Sequence, residues 1–188
     1  MRVIAGKAKG RLLVAPKGLS TRPITAVIKE ALFNILQTQI VGSRFLDLFA
    51  GSGSIGIEAI SRGAENVVFV EKEQNAINTI KKNLAACKFQ NGYEIYRDDV
   101  FRRIKRLDDN GYMFDIIYLD PPFTEDKIFL PVMETLSNTN LIAKGGIIVI
   151  RTRKEKRMPD TINALYKCKF KNYGLSNLYF YSHHLDVM

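Results

Sequence analysis

The stretch Phe45-Leu46-Asp47-Leu48-Phe49-Ala50-Gly51-Ser52-Gly53-Ser54-Ile55-Gly56 decides how the rest of the chain is read. An apolar run of strand length meets three glycines, and a helical pattern over 54–62, closed by Gly63, begins inside them. Glycine lets the backbone turn tightly and approach a ligand, and a helix N-terminus offers unpaired N–H groups. A nucleotide-like ligand is expected at this turn. Outward from it, strands are predicted at 66–70, 93–97, 114–119 and 146–151, with helices at 73–86, from 100, and at 127–137. Such alternation marks a parallel sheet covered by helices on both faces, an α/β fold. The tail, 161–170 and 178–182, supplies the last elements. Upstream, the apolar spacing of Ile24, Val27, Ile28, Ala31, Leu32, Ile35, Leu36 and Ile40 predicts one amphipathic helix starting after Pro23. Ahead of it, Val3-Ile4 and Leu12-Leu13-Val14 suit the strands of a small hairpin.

Gly51, Gly53 and Gly56 also fit the GxGxxG pattern of dinucleotide enzymes, with Glu71 as the ribose-binding acid. Asp47, four residues before the first glycine, separates the readings, because a pyrophosphate gains nothing from a nearby anion. A carboxylate suits a cationic ligand, and S-adenosylmethionine carries an ammonium and a sulfonium but no phosphate. Glu71 can accept from both ribose hydroxyls, and Asp99 from the adenine amine. Both acids stand at carboxyl ends of successive strands, where open α/β sheets bind ligands. The candidate cofactor set is Asp47, Phe49, Ala50, Gly51, Ser52 and Gly53 in the turn, Glu71 with Lys72, and Asp99 with Val100.

The strand at 114–119 runs into Asp120-Pro121-Pro122-Phe123 at the same edge. An exocyclic amine is a poor nucleophile because its lone pair is delocalised into the ring, and acceptors on its two hydrogens draw it toward tetrahedral geometry. Asp120 supplies one acceptor and the Pro121 carbonyl a second, while Pro121 and Pro122 hold the backbone rigid. Phe123 offers a flat face for a base, and stacking there contributes roughly 1 to 3 kcal/mol. An ordinary strand-ending turn is the competing reading. The upstream Asp47-to-Gly56 motif decides for an active site.

The chain has 188 residues, 46% hydrophobic and 25% charged, the make-up of a folded globular protein. One domain is expected over 1–188, with 1–43 as a basic extension and helix and 44–188 as the catalytic core. The opening Met1-Arg2-Val3-Ile4-Ala5-Gly6-Lys7 reaches charge too soon for a signal peptide, and no apolar run approaches the roughly 20 residues of a membrane span, so a cytoplasmic location without membrane contact is expected. Cys87 and Cys168 lack CxxC spacing and read as reduced thiols. Adjacent His183 and His184 lack further ligands at useful spacing, and no metal is expected. The net charge of +9 is uneven: residues 1–44 carry Arg2, Lys7, Lys9, Arg11, Lys17, Arg22, Lys29 and Arg44 against Glu30 alone. A second cluster holds Arg151, Arg153, Lys154, Lys156 and Arg157 against Glu155. Both suit a polyanion, whose counterions are released on binding.

Taken together, these motifs resemble the bacterial small-subunit (16S) ribosomal RNA guanine-N2 methyltransferase D family over essentially the whole length. The resemblance rests on Arg2-Val3-Ile4-Ala5-Gly6 through Gly10-Arg11, Arg22-Pro23 with Lys29-Glu30-Ala31-Leu32-Phe33-Asn34, Leu46-Asp47 through Gly56, and Asp120 through Phe123. It implies a Rossmann-like methyltransferase fold, a mostly parallel seven-stranded sheet with an antiparallel last strand, S-adenosylmethionine as cofactor, and methylation of one guanine N2 in 16S ribosomal RNA. It also implies a partly assembled small subunit as partner, a monomer, and Arg2, Lys7, Lys9, Arg11 and Arg22 as phosphate contacts. One departure is present: after Arg22-Pro23 the family usually shows Thr-Thr or Thr-Ser, then Asp and a basic residue, where this chain has Ile24-Thr25-Ala26-Val27.

Three rival functions fit parts of the pattern. An adenine-N6 methyltransferase on DNA or RNA uses the same amine chemistry, although about 35 residues beyond the fifth strand leave little space for a target-recognition domain. An NAD-dependent oxidoreductase needs only the glycines. A non-catalytic RNA-binding protein keeps the fold but has no need of complete motifs.

Overall fold

A computed structural model describes residues 1–16, 24–122 and 127–183. Phe123, Arg22, Pro23, Lys17 and His184 lie outside the described residues. The elements in chain order are α1 (Ala26–Ile35), α2 (Gln37–Ile40), β1 (Arg44–Leu48), α3 (Ser54–Ser61), β2 (Asn66–Glu71), α4 (Gln74–Ala86), β3 (Tyr93–Arg97), α5 (Val100–Asp109), β4 (Phe114–Leu119), α6 (Phe129–Ser137), β5 (Ile142–Arg153), β6 (Thr161–Ile162), β7 (Leu165–Tyr173) and β8 (Ser176–Ser182). They build one sheet in the order β3-β2-β1-β4-β5-β8-β7-β6. The strands from β3 through β5 run parallel, and β8, β7 and β6 are each antiparallel to their neighbour. This is the Rossmann-like methyltransferase arrangement, and β1 lies where the strand order reverses, the place where such sheets open a ligand crevice.

Helices α1, α3 and α4 bury Leu32, Ile57 and Ile80 against one face, with Phe45, Phe69, Tyr118 and Val149 of the strands. Helices α5 and α6 cover the other face through Ile104, Leu107, Val132 and Met133, against Leu46, Val68, Ile117 and Ile148. Strand side chains alternate between faces with a period of two. The residues two positions beyond the first set, namely Asp47, Glu71, Asp120 and Arg151, therefore project to the same face at the carboxyl edge of four adjacent strands.

Three sequence expectations are corrected. The sheet has eight strands among the described residues rather than seven, because 161–170 breaks at Asn163, whose φ of 51° turns β6 back on β7. The strand expected at 146–151 begins at Ile142, and its pairing jumps from Phe114↔Ile142 to Ile116↔Ile147. The glycines that looked like a strand boundary form this bulge, where Gly145 adopts φ +77° and a Cβ on Gly146 would lie 2.8 Å from the Ala143 carbonyl oxygen. The helix expected over 24–40 is two helices meeting at Leu36, whose buried side chain keeps the apolar spacing unbroken across the junction. Thr25 caps α1 through its hydroxyl, which accepts from the Ile28 N–H.

The N-terminal hairpin is present, paired through the Arg2↔Leu12 bridge, with Val3 N–H donating to the Arg11 carbonyl at 2.9 Å. It docks on α3. The Glu58 carboxylate accepts from the N–H groups of Ile4 (2.8 Å) and Ala5 (3.0 Å). The Ser61 hydroxyl accepts from Ala8 N–H and donates to the Ala5 carbonyl. Gly6 passes so near that a Cβ there would lie 1.8 Å from the Ser61 carbonyl oxygen. Lys29, counted among the exposed charges by sequence, is buried instead, donating to the Arg2 carbonyl and pairing with Glu58. No helix among the described residues is long and apolar enough to cross a membrane.

Candidate active site

The turn after β1 is held open by its own backbone. Phe49, Gly51 and Gly53 adopt φ of 67°, 55° and 73°, and Ala50 N–H donates to the Val70 carbonyl at 3.0 Å. A non-glycine residue in the left-handed region is strained, so Phe49 marks a turn imposed by its surroundings. Gly56 has a packing reason: a Cβ there would lie 2.2 Å from the Phe69 ring, so only glycine lets α3 settle on β2.

Asp47 lies beneath this turn, 2% exposed, and its Oδ2 accepts from the Gly56 N–H at 3.0 Å. Burial pushes its pKa up to about 8; the Gly56 N–H opposes that shift, and the Asp120 and Glu71 charges add to it. Glu71 shapes the turn as well: Oε2 accepts from Gly51 N–H at 2.8 Å, and Oε1 accepts from Lys72 and Glu73 N–H at 2.8 and 3.0 Å. Asp99 is exposed and caps α5, its Oδ1 accepting from Phe101 and Arg102 N–H, while Val100 is buried behind it. Its neighbour Asp98 is structural, gripped by Arg102, Arg103 and Arg106. Burial alone would raise the Asp98 pKa, but the arginines and the Asp99 N–H outweigh it and hold the carboxyl below its ordinary range.

The second half of the site comes from β4 and β5. Parallel pairing aligns Asp47 with Tyr118 and Leu119 with Ile150, which brings Asp120 beside both the Asp47 turn and Arg151. Arg151 Nε donates to Asp120 Oδ1 at 2.9 Å, and the Tyr118 hydroxyl donates to Oδ2 at 3.3 Å. Burial raises the Asp120 pKa, and Arg151 and Tyr118 oppose that shift. Tyr118 is held well above its ordinary value by burial and then by the Asp120 charge. Pro121 is buried and Pro122 half-buried. Arg151 corrects the sequence reading: placed by charge in a polyanion-binding cluster, it is 4% exposed and lies against Asp120. Its place two residues after inward-facing Val149, beside the strand carrying Asp120, is the signal that reveals it.

Arg2, Lys7, Lys9 and Arg11 are all exposed on the hairpin. The hairpin reaches the glycine turn after β1 through Asn83 of α4. Its amide donates to the carbonyls of Val14 (3.0 Å) and Ser52 (2.9 Å), and its Oδ1 accepts from Val14 N–H. Sequence reasoning passed over Asn83, Glu58 and Ser61; a polar residue on an otherwise apolar helical face is the signal that each of them gives. His183 Nδ1 lies 3.2 Å from the Ala164 carbonyl, and no group of three His, Cys, Asp or Glu able to hold a metal is found among the described residues.

The donor set suits S-adenosylmethionine. Asp47 lies beneath the turn where a dinucleotide would need room for phosphates, and Glu71 and Asp99 stand at or just past the carboxyl ends of β2 and β3. The chain is 38% identical over 181 residues to the putative rRNA methyltransferase YlbH of Bacillus subtilis (strain 168), covering 96% of this chain and 98% of that protein. It is 36% identical over 171 residues to the ribosomal RNA small subunit methyltransferase D of Buchnera aphidicola subsp. Acyrthosiphon pisum, covering 90% and 87%. A solved structure, the putative methyltransferase yhhF from Escherichia coli, superposes with a TM-score of 0.83 at 28% identity over 96% of both chains. The family described as Conserved hypothetical protein 95 matches residues 1–182, and the chain belongs to that family.

Proposed function

We propose that the protein is an S-adenosylmethionine-dependent methyltransferase that methylates the N2 amine of a guanine in 16S ribosomal RNA. Its partner is a partly assembled small subunit, and it acts as a cytoplasmic monomer whose residues 1–188 form one unit. The observation that carries this reading is the convergence of Asp47, Glu71 and Asp120 on one face at the reversal of strand order. The ribosomal RNA substrate follows from the names of the relatives, and the choice of guanine N2 from the resemblance.

When bound, S-adenosylmethionine supplies a sulfonium-activated methyl group: the amine lone pair forms the new C–N bond as the C–S bond breaks and its electron pair stays on sulfur. Glu71 would hold the cofactor's ribose and Asp99 its adenine, and Asp47 would be the carboxylate available to its positive charge. Asp120 Oδ2 and the Pro121 carbonyl take the two amine hydrogens, and the proton shed after transfer leaves along the first of these bonds. Alignment of nitrogen, methyl carbon and sulfur is the principal demand, which a rigid Pro121-Pro122 backbone meets. Phe123 stacks the extruded base, and Arg2, Lys7, Lys9, Arg11 and Arg22 contact phosphates without reading sequence.

The test is methyl transfer from labelled cofactor to naked 16S ribosomal RNA, immature small subunits and DNA in parallel. Label in the small-subunit samples is the expected result; label confined to DNA would overturn the substrate.

A further inference from the structure

We propose that Arg151 is the positioning residue for Asp120, holding its carboxylate through Oδ1 so that Oδ2 faces the incoming amine. This inference rests on the reading of Asp120 as the amine acceptor and adds the group that keeps it competent.

Three observations carry it. A buried carboxylate ordinarily leans on the N–H groups that follow it, as Asp98 does on Asp99 N–H at 2.9 Å. Asp120 is followed by two prolines, which have no N–H, so its charge must be met from another strand. Arg151 supplies that donor at 2.9 Å from the end of β5. The second observation is its setting: Ile147, Ile148, Val149 and Ile150 just before it are wholly buried and apolar. A buried ion pair is often no more stabilising than apolar residues of similar volume, so stability alone does not account for an arginine here. The third is the division of the two oxygens. A carboxylate offers about four lone-pair sites. Arg151 engages Oδ1, and the Tyr118 hydroxyl sits at a long 3.3 Å from Oδ2, which leaves Oδ2 with capacity for another donor.

The groups facing Asp120 among the described residues are Tyr118 from its own strand, Arg151 from β5 and Asp47 from β1, with Glu71 beyond Asp47. Arg151 and the Tyr118 hydrogen bond favour the ionised carboxylate, while burial favours the neutral acid. Loss of Arg151 therefore leaves Asp120 protonated to higher pH, a neutral acid that is a much weaker acceptor for the amine hydrogens.

The test measures kcat against pH with the full chain, labelled S-adenosylmethionine and immature small subunits, for wild type, Arg151→Met, Arg151→Lys and Asp120→Ala. Calorimetry of S-adenosylmethionine reports whether each variant keeps its fold and cofactor site. Arg151→Met is expected to bind the cofactor as wild type does, to lose about tenfold to a hundredfold in kcat at neutral pH, and to shift the acidic limb of the profile upward, recovering activity as pH rises. Arg151→Lys keeps the charge and is expected to restore the limb but only part of kcat; should Arg151→Met fail to fold, this variant carries the test. A kcat unchanged in Arg151→Met, or lowered equally at every pH in both variants, would overturn the inference while an inactive Asp120→Ala leaves the parent reading standing. Full activity in Asp120→Ala would remove both.

Discussion

The Lys29 ammonium lies 3.0 Å from the Glu58 carboxylate, with side chains only 3% and 0% exposed, and Arg62 pairs with the same carboxylate at 2.9 Å. Burial lowers the Lys29 pKa, and the Glu58 charge opposes that shift. Glu58 also accepts two hairpin N–H groups, so one carboxylate ties the basic N-terminus to the helix that follows the glycine turn. Glu58→Gln leaves two cations without their partner and is expected to destabilise the fold by about 3 to 5 kcal/mol, read from chemical denaturation. A change below about 1 kcal/mol would show that the network is not structurally important.

Gly56→Ala pushes a methyl group toward the Phe69 ring across the α3–β2 contact. The expected loss is about 1 to 3 kcal/mol in thermal unfolding, with weaker cofactor binding because α3 begins at the turn. Unchanged cofactor affinity would separate the helix packing from the site.

The hairpin charges are expected to act through phosphates. Replacing Lys7, Lys9 and Arg11 together with alanine should weaken RNA binding similarly for unrelated sequences. It should also reduce the slope of log affinity against log salt by about two to three, while leaving S-adenosylmethionine binding alone. Binding assays across a salt series check this, and an unchanged slope would place the RNA elsewhere.

Asp47 couples the site to pH. Its pKa stands at about 8 against an ordinary 3.8, so the folded protein keeps a proton that the unfolded chain has lost. The stabilisation is therefore fully present below the ordinary value and is lost as pH rises to about 8. Asp47→Asn, which still offers an oxygen to Gly56 N–H, is expected to gain on wild type across that window in thermal melts. A cationic cofactor favours the ionised form, so binding at pH 7 should release up to about one proton. Calorimetry in buffers of different ionisation enthalpy measures it, and proton uptake would contradict the placement of positive charge near Asp47.

Much of the fold was legible because the apolar periods were clean. Strands at 93–97 and 114–119 fall where they are predicted, and the stretch from Phe45 to Gly56 is strand, loop and helix in that order. The bulge at Gly145 and the reversal at Asn163 were not, since both depend on pairing partners far along the chain. Asp47, Glu71 and Asp120 were visible as carboxylates at strand ends. Arg151 was hidden by its charge: next to Arg153 and Lys154 it looks like surface, and only the register of β5 against β4 turns it inward. Lys29 misled for the same reason, its partner Glu58 lying 29 residues away in sequence.

The most direct test is the identity of the nucleoside that receives the methyl group. Small-subunit RNA labelled by the wild-type protein, digested and separated, should carry the label as N2-methylguanosine, and RNA treated with Asp120→Ala should carry about a hundredfold less. Label appearing as N6-methyladenosine, or undiminished in Asp120→Ala, would contradict it.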